Sequence, residues 1–144
     1  MAFVSVTRLR LRSFRFLLPF LVSTTQSRRQ VRRAPGFVEG RMSIEFPRAF
    51  WTVTVWESRD AMREFRNTAA HLRAMPRLLA WCDEGSYANW EQPVPEAPPL
   101  DVAHQRLRTE GHVSKVNHPS PTHAAGKTTS DAVARPAPAF RSAR

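Results

Sequence analysis

Ala49-Phe50-Trp51-Thr52-Val53-Thr54-Val55-Trp56-Glu57 is the stretch that decides the fold. It is dense in β-branched and aromatic residues, the composition of a strand. It also shows period two. Trp51, Val53 and Val55 share one face, and Phe50, Thr52, Thr54 and Trp56 share the other. Both faces are therefore apolar, and a sheet face that carries Phe and Trp needs a cover.

Just upstream, Phe37–Glu45 reads as a strand with Val38, Met42 and Ile44 on one face. Phe46-Pro47-Arg48 is too short a connection for anything but an antiparallel hairpin. Ala2–Leu9 alternates Phe3, Ser5, Thr7 and Leu9 with Val4, Val6 and Arg8, which predicts another strand. Between them, Leu17 to about Arg33 has Leu17, Phe20, Leu21, Thr24 and Val31 at helical spacing. Its Pro19 fits only the first turn, its last turns are Arg-rich, and Pro35-Gly36 stops it.

Downstream, Ser58 is a helix N-cap and Asp60 lies in the first turn. Met62, Phe65, Ala69 and Leu72 mark the buried stripe, and the helix is expected to end or kink by Pro76. Pro76–Trp81 reads as a short further turn of helix, Asp83-Glu84-Gly85 as a turn, and Ser86–Glu91 as a fourth strand. The order is βαββαβ, which predicts an α+β, ferredoxin-like, four-stranded antiparallel sheet with helices on one face. For the second face, the expected cover is another copy of the chain, sheet against sheet; the alternative is the tail folding back. Closed two-fold dimers are the commonest oligomers, which favours a homodimer.

Thirteen of the 14 aromatic residues lie in residues 1–91, whereas eight of the 12 prolines lie beyond them. Chain without large apolar groups cannot offset its conformational entropy by burial. The domain is therefore assigned to 1–91 and a Pro-rich tail to 92–144. Leu100–Glu110 reads as one short helix in that tail, with Asp101 near its start and Gly111 at its end, and 112–144 as disordered.

The chain has 144 residues and a formal charge of +10. Such a balance admits nucleic acid, anionic lipid or acidic partners. Arg8, Arg10, Arg12 and Arg15 precede the apolar run Phe16–Val22, the outline of a targeting segment. The run is too short to span a bilayer, Pro19 interrupts it, and no A-x-A-like site follows. A single cysteine, Cys82, excludes an intramolecular disulfide and a Cys-based zinc cage, in keeping with a cytoplasmic location. His104, His112, His118 and His123 are spaced unlike any compact metal site. Phosphate-cradling Gly-rich loops, nucleophile elbows and His-Glu-x-x-His motifs are absent. So are the aromatic RNP segments that a ferredoxin-like RNA binder needs, which argues against nucleic acid as partner.

Residues 49–58, Ala61-Met62-Arg63-Glu64-Phe65-Arg66, His71, Ala74-Met75-Pro76 and Trp81-Cys82-Asp83-Glu84 resemble domains of the dimeric α/β-barrel superfamily, nearest to spheroidene monooxygenase-like proteins and more distantly to antibiotic-biosynthesis monooxygenases. The resemblance implies a homodimer that oxygenates a hydrophobic small molecule, and it admits haem as a cofactor with His71 as its ligand. The corresponding pocket would be walled by Phe50, Trp56, Phe65 and Trp81. Core filling is the competing role for the aromatics, and a solvent-facing position the competing role for His71. Two other functions stay open: a non-catalytic dimeric ligand-binding or structural module, and an Arg-driven binder of anionic polymer or membrane.

Overall fold

A computed structural model describes residues 1–130 and 134–143. The elements are β1 (Ala2–Leu11), a 3-10 turn (Phe14–Phe16), α1 (Leu17–Val31), β2 (Phe37–Glu45), β3 (Ala49–Trp56), α2 (Arg59–Arg66), α3 (Ala69–Trp81), β4 (Cys82–Gln92), α4 (Leu100–Glu110), β5 (His112–Val113), α5 (Pro121–Ala124) and β6 (Arg135–Arg141). The first four strands form the ferredoxin-like sheet, with β1 at its centre between β4 and β3. The sheet has six strands rather than the expected four, in the order β5-β4-β1-β3-β2-β6, because the tail adds one strand to each edge. An unpaired edge is a template for association, and the outer strands are now β5, only two residues long, and β6, which carries Pro136 and Pro138.

Local chemistry accounts for the elements. Ser58 Oγ accepts from Ala61 N at 3.1 Å and starts α2. Gly36 ends the α1 connection at φ +83°, in the left-handed region where a side chain is strained. The second helical region departs from its expected form. The chain breaks at Asn67-Thr68, and α3 then runs through Pro76 to Trp81. That break resets the helical phase and leaves Leu72 exposed. No turn follows: β4 begins at Cys82, so Asp83-Glu84-Gly85 is strand, with Glu84 opposite Arg10. In β2 an irregularity between Phe37 and Glu39 separates the faces of Val38 and Met42; Val38 packs against the Val4 and Trp51 cluster, while Ile44 is exposed.

The two sheet faces are also covered differently from expectation. The Phe50 and Trp56 face lies under α1, α2 and α3. Phe3, Val31, Phe37, Trp56 and Met62 form one cluster there, and Leu11, Phe20, Phe50 and Cys82 another. The Trp51 face carries Val4, Val6, Val53, Val55, Ala88 and Trp90, and its cover is the tail, through Ala103 and Leu107 of α4 with Leu100, Ala97 and Ala134. The tail is thus ordered over its described residues, not disordered. The alternation on β3 correctly demands a cover, but the chain supplies it, so that alternation does not by itself call for a second copy.

Candidate functional site

One rung of the sheet gathers polar residues under the tail. Ser86, Arg8, Trp51 and Ser43 face one another across β4, β1, β3 and β2. All four are almost fully buried, as are Glu45 and Glu84 beside them. Arg8 donates to Glu45 through Nε at 3.0 Å and Nη2 at 2.7 Å, a bidentate pair, and through Nη1 to Glu84 Oε1 at 2.8 Å. Trp51 Nε1 donates to Glu45 Oε1 at 3.0 Å. The tail closes the set: Ser120 Oγ donates to Glu84 Oε2 at 2.7 Å and Ser130 Oγ to Glu45 Oε2 at 2.9 Å. Arg10, half-buried, reaches Glu84 and Asp83 at 3.1 and 3.2 Å.

The charges set one another's ionisation. Burial alone would lower the Arg8 pKa, but the hydrogen bonds and charges of Glu45 and Glu84 outweigh it and raise it. Burial would raise Glu45, and Arg8 together with Trp51 and Ser130 brings it below the usual carboxylate range. Glu84 is lowered likewise, by Ser120 and Arg8 against burial. The network is a fixed, ionised foundation, since a buried ion pair is tolerable only when its remaining hydrogen-bonding positions are filled.

Above it opens a cleft of about 1200 Å³ between α4 and residues 126–130, with Trp51 at its base and Leu100, Val102, His104 and Ala134 among its walls. The His104 imidazole stacks on Trp51, with ring centroids 5.3 Å apart and 30° between planes. Arg108 Nη2 is 3.1 Å from His104 Nδ1. A guanidinium only donates, so Nδ1 accepts, and the proton of the neutral ring sits on Nε2. That Nε2 is shielded from solvent and has no protein partner. Lys127, Arg106 and Arg108 also line the cleft, against one carboxylate, Asp101. Trp51, Leu100, Val102 and Ala134 give the cleft an apolar portion, and nine of its fifteen lining residues are polar or charged, where the usual small-molecule site has only a few polar groups.

The five residues singled out in the sequence lie on the other face and divide into two groups. Trp56 meets Phe65 at a tilt with centroids 5.4 Å apart, and Phe65 meets His71 edge-on at 5.4 Å. Phe50 belongs to the second cluster, with Phe20 at 4.7 Å and Trp81 packed alongside. None of the five lines the cleft. His71 is half-buried; burial lowers its pKa against the raising effect of the Arg66 carbonyl, and its Nδ1 has no partner. Trp56 Nε1 is likewise buried and unpaired. Ring contacts at these distances fill the space between His71, Phe65 and Trp56. Cys82 is fully buried, and burial pushes its thiol up to about 12, which makes it inert as a nucleophile. Glu39 accepts from Ala97 N at 2.8 Å and lies 3.6 Å from Arg141. Among the described residues, no three His, Cys, Asp or Glu side chains come together as a metal site.

The residues that sequence reasoning missed are Arg8, Glu45, Glu84, Trp51 and His104. One signal was available: alternation places Arg8 on the same face as Val4 and Val6, and a charge on an apolar strand face needs buried partners.

Comparison with known proteins supports the same fold. The family model for antibiotic biosynthesis monooxygenases matches residues 20–77, from α1 into α3. SnoaB, a cofactor-independent oxygenase from Streptomyces nogalater, is 20% identical over 66% of this chain and 98% of its own, with a TM-score of 0.54. An antibiotic biosynthesis monooxygenase structure is 15% identical over 65% of this chain and 100% of its own, with a TM-score of 0.58. A conserved protein from Methanosarcina mazei Go1 is 11% identical over 65% and 94%, with a TM-score of 0.59. At these identities the likeness establishes the ferredoxin-like fold. About a third of this chain lies outside each of these structures' matches, and more than half lies outside the family match. No curated protein matches the sequence.

Proposed function

We propose that this protein is a small monooxygenase-type oxygenase acting on a hydrophobic, planar substrate held in the Trp51–His104 cleft. The observation that carries this reading is the His104 ring stacked on Trp51 in the wall of a cleft large enough for such a molecule. Support for oxygenation comes from the match of residues 20–77 to the monooxygenase family and from the fold shared with a cofactor-independent oxygenase. In oxygenation of the cofactor-independent kind, the substrate supplies the electrons. An electron-rich phenol or hydroquinone can do so: a ring carbon takes one atom of O₂, the ring gives up four electrons and two hydrogens and ends as a quinone, and the other oxygen atom leaves as water. A turn of the His104 ring off Trp51 would bring its Nε2–H to the developing oxyanion, and Lys127 and Arg108 favour the ionised substrate.

The test is oxygen uptake by the purified chain with a panel of planar phenols and hydroquinones, alongside a carotenoid for the narrower likeness to spheroidene monooxygenase. His104→Ala should lower turnover about a hundredfold, as the loss of one such donor does. Quenching of tryptophan fluorescence without oxygen uptake would instead leave a non-catalytic ligand-binding module. A second reading keeps the site at Trp56, Phe65 and His71, where Trp56 Nε1 and His71 Nδ1 are buried and unpaired. There His71→Ala, not His104→Ala, would remove activity, and a Soret band on adding haem would support His71 as a ligand.

A further inference from the structure

A second surface lies away from the cleft. Phe46 is 81% exposed, Leu18 72% and Phe14 57%, and Leu21 and Val22 are exposed beside them on α1. Phe46 is in the β2–β3 turn, and Arg48, two residues on, lies over the Phe14 ring at 5.5 Å, which brings that turn beside the start of α1. Arg48 Nε also donates to Leu11 O at 2.9 Å, so this end of the sheet is tied to the same region. Helical geometry explains the α1 residues. Phe20 is buried on Phe50, and Leu18, Val22 and Arg29 lie about 160–180° away from it, at ~100° per residue. The outward stripe is therefore apolar at its N-terminal end and basic at its C-terminal end. No acidic residue occurs before Glu39, so Arg12, Arg15, Arg28 and Arg29 have no carboxylate neighbour in their own segment.

We infer that this surface docks on an anionic phospholipid bilayer, with Phe14, Leu18 and Phe46 entering the headgroup boundary and the arginines resting on lipid phosphates. Aliphatic and phenyl groups ringed by arginine are the chemistry of an interfacial anchor. A second copy meeting the same patch would set arginine against arginine. Nucleic acid would use the arginines but would leave Leu18, Leu21 and Val22 without a partner, since aliphatic side chains give bases no stacking surface. The surface is independent of the cleft, so this inference stands or falls apart from the oxygenase reading. No helix among the described residues is long and apolar enough to cross a membrane, and the proposed contact is with the bilayer surface.

The test is co-sedimentation of the full chain with phosphatidylcholine vesicles with and without phosphatidylserine. Binding is expected only to the anionic vesicles, falling with added salt. Leu18→Ser with Phe46→Ser should weaken it at least about tenfold, and Arg15→Ser or Arg29→Ser roughly fivefold each. Both apolar positions are exposed, so circular dichroism should be unchanged. Three results would each overturn the proposal: no binding to anionic vesicles, binding indifferent to Leu18→Ser with Phe46→Ser, or a mass in solution that these variants halve.

Discussion

Arg8 is held by two carboxylates, and neither can spare it. Removing the guanidinium as Arg8→Met leaves Glu45 and Glu84 as uncompensated buried charges, and breaking a buried pair from one side costs about 3–5 kcal/mol. That is a large part of a small domain's stability. The expected result in urea is a sharply lower midpoint, partly restored when Glu45→Gln and Glu84→Gln are added; an unchanged midpoint would remove the network from the stability account. The same groups give a signed pH dependence. Glu45 and Glu84 have folded pKa values lowered by Arg8, so their stabilisation is full above about 4.5, the ordinary carboxylate value, and is lost as pH falls below it. His71 is lowered by burial, so its contribution is full above about 6.5 and begins to fall below that. Asp83, raised by burial, opposes both weakly. Thermal melts should therefore show a shallow loss beginning near pH 6.5 and a steep one below pH 4.5, and His71→Ala should abolish only the first.

Among the elements, those with one decisive local signal were legible. Ser58 starts α2, the residues of β3 allow nothing but a strand, and Leu100–Glu110 is the helix its pattern predicts. What was not legible depended on neighbours. Pro76 sits inside α3, although proline usually ends a helix. Cys82–Gly85 carries turn residues, yet it pairs with β1 and becomes strand, tertiary pairing overriding propensity. The site shows the same division. Arg8 on an apolar face announces buried acids, but nothing local says that those acids are Glu45 and Glu84, 37 and 76 residues away. His104 gained its place only when α4 folded over Trp51. The α1–β2 connection offers a direct check of local control. A Cβ added at Gly36 would stand 2.5 Å from the Ala61 Cβ, at a φ that already disfavours side chains. Gly36→Ala is expected to cost about 1–3 kcal/mol, visible as a lower melting temperature with unchanged strand content. A neutral effect would mean that α2 yields easily.

For the whole molecule, the tail decides what the sheet can meet. It occupies the Trp51 face, adds a strand to each sheet edge and supplies both walls of the cleft. Its hold is partly polar: Ser120 and Ser130 reach the buried carboxylates, Ser86 Oγ donates to Thr128 O at 2.6 Å, and Ser114 N donates to Gly85 O at 2.8 Å. Ending the chain after Gln92 would bare Val4, Val6, Trp51, Val53, Val55 and Trp90 in one patch and reopen β2 and β4 as edges. Each such side chain returned to water costs about 1.5–3 kcal/mol, more than a small domain can sustain across the set. The shortened chain is therefore expected to self-associate face to face, or to aggregate, with analytical ultracentrifugation as the measurement. Ligand affinity in the cleft should vanish with the same cut, because His104 and residues 126–130 leave with the tail. A shortened chain that stayed monomeric and folded would mean that the Trp51 face tolerates water, and the tail would then be a wall of the site without being a requirement of the fold.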